Sequence, residues 1–264
     1  MRITDAHAIV TGGSQGIGLA TARILAARGA RVSLIARDAP RLDQAAATVG
    51  PGTAVAPADV TDERAVSGAI ADLVAAQGPC DLLITSAGAS HPGYFADLEV
   101  DDFRAQMDLN YFGTLLPIRA VLGSMLERRR GTIVGVSSAA GLVGVFGFGA
   151  YAPSKYAVRG LMDALRAEVG GRGVFVACAF PPDTLTPGFE TENLIKPAET
   201  AAVSAGIKPR LAEEIGAGLV RGIERDRHVI TFDPQTALLA RGGGLVAPIA
   251  YRLMGREVRK ATRP

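Results

Sequence analysis

The chain has 264 residues, 48% of them hydrophobic and 20% charged, which is enough for one sizeable domain with a buried core. A formal net charge of +2 makes no general case for a nucleic-acid partner. The two cysteines, Cys80 and Cys178, lie in apolar surroundings and read as small buried hydrophobes in a reducing compartment, not as a disulfide. His7, His91 and His228 are far apart in sequence, so no metal-ligand cluster is expected.

The N-terminus lacks a charged-then-apolar leader and Asp5 interrupts its hydrophobicity, so the mature protein is expected to start near Met1, with a cytoplasmic location. Apolar runs at Ala8–Val10, Val32–Ile35, Thr53–Val55, Leu82–Thr85, Thr132–Val136, Val174–Ala179 and His228–Thr231 predict strands buried on both faces. Helical periodicity covers Ile17–Arg28, Arg64–Ala76, Phe103–Arg128, Tyr151–Val169 and Arg210–Glu224. Such alternation predicts a parallel sheet flanked by helices on both faces, with ligands at the carboxyl ends of the strands. The uncharged stretch from Gly131 to Ser154 is nominally long enough to span a bilayer, but glycines, Ser137, Ser138 and Pro153 break it and its first part reads as a strand.

The first strand leads into Thr11-Gly12-Gly13-Ser14-Gln15-Gly16-Ile17-Gly18 and then an alanine-rich helix. A glycine-rich turn in that setting is suited to a dinucleotide pyrophosphate at a helix N-terminus: Gly12 makes the turn, Gly16 admits the phosphates and Gly18 allows close helix packing. The second strand ends in Ala36-Arg37, where an acid would select a ribose hydroxyl; Arg37 suits the 2′-phosphate of NADPH, and the alternative is a surface pair with Asp38. Asp59-Val60 is placed to meet the adenine, and Ser86-Ala87-Gly88 to lie under the cofactor, although a plain loop role stays open for both. Tyr151 and Lys155 stand four residues apart, on one face of a helix. A phenol has a pKa of about 10, and a nearby ammonium is expected to bring it closer to neutral pH, where it hands a proton to an alkoxide.

Thr11–Gly18, Asn110, Ser138, Tyr151 and Lys155, in this order, resemble the short-chain dehydrogenase/reductase family over nearly the whole chain. The resemblance implies an α/β fold, a Rossmann-type doubly wound parallel sheet of about seven strands. It assigns proton donation to Tyr151, the nicotinamide ribose and the phenol pKa to Lys155, the substrate carbonyl to Ser138 and a relay water to Asn110. Residue by residue the alternatives are a strand-end cap for Ser138 and a kink-stabilising polar residue for Asn110. Pro181-Pro182 departs from the usual Pro-Gly and stiffens the backbone beside the nicotinamide.

The segment from Phe180 through Asp183, Thr184, Thr186 and Phe189 to Thr200 is similar to the substrate loop of 3-ketodihydrosphingosine reductases within that family. This implies NADPH-dependent reduction of a long-chain amino-ketone, with Pro181, Thr184 and Thr186 on the cofactor. Another hydrophobic ketone, such as a 3-oxoacyl thioester or a steroid, remains an open reading, as does a dinucleotide-binding regulator without turnover. Asp183, or in its place Glu190 or Glu192, is expected to face the substrate ammonium; the alternative is that Asp183 caps the next helix. Leu142, Val143, Val145, Phe146, Phe148, Phe189, Leu194 and Ile195 are expected to line an alkyl tunnel or to be packing. His91 falls near the mouth or in a solvated loop.

Residues 1–236 form the catalytic domain, with the substrate loop at 181–206, and 237–264 a partly apolar tail bearing Arg252, Arg256, Arg259, Lys260 and Arg263. The tail has two readings: peripheral contact with an anionic membrane surface, or folding over the substrate groove or a neighbouring subunit. A homodimer or homotetramer through the two long helices is expected from the resemblance alone.

Overall fold

The structure is a computed structural model that describes residues 1–262. Arg263, counted above with the basic tail, lies outside the described residues. From the N-terminus, β1 (His7–Thr11) runs into α1 (Gly16–Ala27), β2 (Arg31–Ala36) into α2 (Ala39–Val49), and β3 (Ala54–Pro57) into α3 (Glu63–Gln77). β4 (Leu82–Thr85) precedes α4 (Val100–Met107) and α5 (Gly113–Glu127), joined by a π-turn at Asp108–Phe112 across which the backbone stays helical. β5 (Gly131–Val136) ends in a 3₁₀ turn at Ala139–Gly141, and α6 (Tyr151–Val169) leads to β6 (Val174–Phe180). Then come β7 (Thr184–Leu185), α7 (Pro187–Ile195), α8 (Ala198–Ser204), β8 (Arg210–Leu211), α9 (Ala212–Glu224), β9 (Val229–Thr231) and α10 (Pro234–Ala261).

The main sheet has seven parallel strands in the order β3-β2-β1-β4-β5-β6-β9. Chain order reverses between β1 and β4, so the crevice for a ligand opens where Thr11 and Thr85 lie side by side. Alternate residues serve opposite faces: Ile9, Leu83 and Ile133 face one layer with α3, α5 and α6, and Val10, Leu82 and Val134 the other with α1 and α9. Both faces are therefore dry, which is why the strands read as unbroken apolar runs.

All seven expected strands of this sheet are present. The helical expectations change more, with α8 and α10 added and Arg210–Leu211 a short strand ahead of α9. The segment Phe103–Arg128 is not one regular α-helix, because the π-turn interrupts it at Asn110. α2 was not expected; Asp38 caps it through the Arg41 amide at 3.0 Å, with proline in the first turn, and only Leu42 and Ala45 are buried.

The uncharged stretch after Gly131 is divided between β5, the 3₁₀ turn and loop, and among the described residues no helix is long and apolar enough to cross a membrane. Cys80 and Cys178 are free and buried, and burial pushes both thiols up to about 12.

Candidate active site

At the cofactor end, the turn after β1 needs glycine at two kinds of position. Gly12 and Gly16 have φ of +66° and +56°, and a Cβ on Gly12 would stand 2.7 Å from the Ala87 nitrogen. A Cβ on Gly18 would stand 2.3 Å from the Gly12 carbonyl oxygen. α1 has no side-chain cap and no acid in its first turn, so its leading amides remain available to an anion. This cradle fits the pyrophosphate of a nicotinamide dinucleotide.

Ser14, Gln15, Ile17 and the three glycines line one cavity of about 990 Å³ with Arg37, Val60, Ser86, Ala87 and Gly88. Asp59 does not line it. Its carboxylate accepts from the Thr61 amide at 2.9 Å and hydroxyl at 2.8 Å, and lies 3.8 Å from Arg37. Partial burial works against its charge, yet the Thr61 bonds and Arg37 hold it below the ordinary carboxylate range. Arg37 is thus paired with Asp59, not Asp38; Asp38 is 3.8 Å from Arg41. Arg41, which also lines the cavity and donates to Gln15 Oε1 at 2.9 Å, was missed by the sequence reading. Its only signal was its place in the first turn of a helix behind a capping aspartate.

At the chemical end, Tyr151 opens α6 and Lys155 follows one turn later, both lining the same cavity as Ser138 at the end of β5. Ser138 does cap, accepting from the Ala140 amide at 3.1 Å, and its hydroxyl is near enough to the phenol to lower the phenol pKa. Lys155 Nζ donates to the Val136 carbonyl at 3.2 Å and lies 5.8 Å from the centre of the Tyr151 ring. Ser137, buried and not expected, anchors this turn by donating to the Lys155 carbonyl at 2.8 Å.

Asn110 lies outside the cavity wall, fully buried, and is a pin: its Nδ2 donates to Ser154 Oγ at 2.9 Å and Ala89 O at 3.1 Å, and its Oδ1 accepts from Ala89 N at 3.2 Å. Thr114 Oγ1 donates to the Asn110 carbonyl at 2.8 Å. A Cβ on Gly88 would meet Asn110 Oδ1 and Lys155 Nζ, so a bare backbone there is what lets both approach.

The expected effect of lysine on the phenol is not found. Burial pushes the Tyr151 pKa up, the Ser138 hydroxyl pulls it down, and the Glu192 and Asp183 carboxylates raise it further. Burial also lowers Lys155, to about 8. The phenol is therefore held protonated at neutral pH, the state a proton donor requires.

At the substrate end, Pro181, Asp183, Thr184, Thr186, Val143 and Phe189 line the cavity, with Val145 and Phe148. Leu142 does not; it is 5% exposed and packs into the main core among the α5 and α6 side chains. Phe146 is outside the lining too, while Leu194 and Ile195 point to solvent at 85% and 45% exposure. The cap of α7 is Thr186, accepting from the Phe189 amide at 3.1 Å, so Asp183 is free of that task. Its carboxyl is largely buried and pushed up by desolvation, against the pull of Lys196.

His91 stands 3.8 Å from Asp102 in a half-exposed loop and does not reach the cavity. The tail does reach it: Leu239 and Met254 of α10 join the wall, and Tyr251 Oη accepts from the Gly144 amide at 3.2 Å.

The model of the short chain dehydrogenase family matches residues 6–195. The "3-dehydrosphinganine reductase" of Danio rerio is 38% identical over 248 residues, covering 91% of this chain and 75% of that protein. The "3-ketodihydrosphingosine reductase" of Bos taurus is 40% identical over 229 residues, covering 84% and 69%. Among solved structures, levodione reductase superposes with a TM-score of 0.81 at 26% identity over 89% of this chain and 98% of that one. The family model covers most of the chain, and the two relatives are alike over most of its length; the chain belongs to the short-chain dehydrogenase family.

Proposed function

We propose that this protein reduces the C3 ketone of 3-ketodihydrosphingosine to dihydrosphingosine with NADPH. The observation that carries this reading is the continuity of one cavity, from the glycine cradle past Ser138 and Tyr151 to apolar walls from Val143, Phe148, Phe189, Leu239 and Met254. Its likeness to the two sphingoid-base reductases above supports the substrate. Bound NADPH supplies the hydride that reaches C3. Ser138 donates a hydrogen bond to the ketone oxygen and Tyr151 gives it a proton, while Lys155 holds the ribose hydroxyls and Asn110 fixes the Gly88-Ala89 loop against α6. Arg37 and Arg41, both on the cavity wall, favour a 2′-phosphate.

The solvent-facing side of α10 supports peripheral contact with the cytoplasmic face of a membrane, where such a lipid resides. Pairing through the α4–α5 and α6 helices into a homodimer or homotetramer rests on the family resemblance, with Phe112 and Tyr156 exposed on those segments; sedimentation as a monomer would remove it.

The test is NADPH oxidation with synthetic 3-ketodihydrosphingosine, run beside NADH and beside Tyr151→Phe. Turnover with NADPH well above NADH is expected, and Tyr151→Phe should lower kcat by about 10³-fold with cofactor affinity kept. Turnover of a 3-oxoacyl thioester or a steroid in place of the amino-ketone refutes the substrate, and equal rates with both dinucleotides refute the cofactor preference.

A further inference from the structure

Three charged side chains converge where α7 covers the cavity. Glu192 Oε1 lies 2.5 Å from Lys196 Nζ one turn later, and its other oxygen accepts from the Ser90 hydroxyl. The Lys196 side chain is 3% exposed, with its ammonium 4.5 Å from the Phe189 ring centre and 5.9 Å from that of Phe148. Glu192 thus has its charge matched inside the protein. Glu192 Oε1 and Asp183 Oδ2 are both shut off from water with no hydrogen-bond partner among the described residues, but Glu192 has Lys196 against it, whereas Asp183, which lines the same cavity as Tyr151, has no cation at ion-pair distance. Both acids lie close enough to Tyr151 to raise its pKa, and of the two only Glu192 has a cation at ion-pair distance.

An unmatched buried carboxylate is costly unless a cation completes it. A 2-amino-3-ketone brings one, with its ammonium on the carbon next to the carbonyl that Ser138 and Tyr151 must engage. We infer that Asp183 is the ammonium-recognition residue of this site, and that Glu192, neutralised by Lys196, leaves room for one substrate cation and no more. Desolvation of Asp183 and the Glu192 charge oppose its ionisation, Lys196 and the Ser204 hydroxyl favour it, and the incoming ammonium completes the balance. The site would accordingly select amino-ketones over neutral ketones of equal length.

This assignment rests on the reductase reading above. Its test compares kcat/KM for 3-ketodihydrosphingosine with that for the same ketone lacking the amine, in the wild type and in Asp183→Asn. The wild type should favour the amino-ketone, and the substitution should cut that selectivity ratio at least about 30-fold, the loss expected when one partner of a buried charge pair is removed. A ratio that the substitution leaves unchanged overturns the assignment, whether both rates fall together or neither moves. If the wild type reduces only the amine-free ketone, the substrate reading itself falls, and this one with it. Inhibition of the unmodified enzyme offers a check that needs no variant: a long-chain primary amine should inhibit about tenfold more tightly than the alcohol of equal length, and equal inhibition counts against the assignment.

Discussion

Lys155 shows how far burial can move a single group. Its ammonium bonds the Val136 carbonyl in a largely buried position on the cavity wall, and desolvation lowers its pKa from 10.5 to about 8. Between those values the unfolded chain binds a proton that the folded one does not, so this group makes stability rise with pH from about 8 to about 10.5. Below about 8 the lysine is charged in both states and the cost of burying that charge is present in full. Lys155→Met is therefore expected to raise the thermal midpoint at neutral pH, with a gain that shrinks through this window and vanishes above it. Thermal scans of both proteins across pH check this, and a gain independent of pH refutes burial as the cause. That Tyr151, Lys155 and Ser138 meet on one cavity was legible, because identity and spacing are what a sequence displays, whereas the bonds that make Asn110 a pin were not. The direction of the phenol pKa was not legible, since it depends on how much protein surrounds the ring. Arg41 was hidden for a similar reason: its value depends on where the first turn of α2 points.

The strands were easier to read than the helices. Strands buried on both faces are largely apolar, whereas α2 buries only Leu42 and Ala45 and its apolar stripe is mostly small alanines. The π-turn between α4 and α5 was invisible because its cause is tertiary. Asn110 reaches across to Ala89 and Ser154, the wide turn accommodates that reach, and the Thr114 hydroxyl takes up the Asn110 carbonyl. The same bonds tie the Gly88-Ala89 loop to α6, so the turn helps to place Lys155. Asn110→Leu would leave the Ala89 amide and carbonyl and the Ser154 hydroxyl buried with fewer partners, which should cost about 2 kcal/mol or more in urea unfolding. It should also weaken cofactor binding, because Gly88 and Ala89 line the cavity that holds the glycine cradle. Unchanged stability would mean that Asn110 is not the pin.

For the molecule as a whole, the net charge of +2 conceals how unevenly charge is placed. α10 breaks at Gly243, where φ of +46° lets the chain change direction, and its distal half lies back over the Gly144–Phe146 loop. Tyr251 and Met254 make the contacts there, and Val246, Ala250 and Val258 are half-buried; Leu245, Ile249 and Leu253, then Arg252, Arg256, Arg259 and Lys260, are exposed. Of the two readings of the tail, folding over the groove is thus realised through Tyr251 and Met254, and it leaves an apolar and basic face turned outward. An anionic bilayer matches both features, because leucine and isoleucine enter the headgroup boundary while each basic residue near the surface adds about 1 kcal/mol. Arg252→Glu combined with Arg256→Glu keeps the inward contacts and reverses the outward charge. Partition onto anionic vesicles should fall at least about 30-fold, with little change on neutral ones. If the double variant sediments with anionic vesicles as well as the wild type does, α10 is only a wall of the groove, and the lipid substrate must reach Tyr151 by another route.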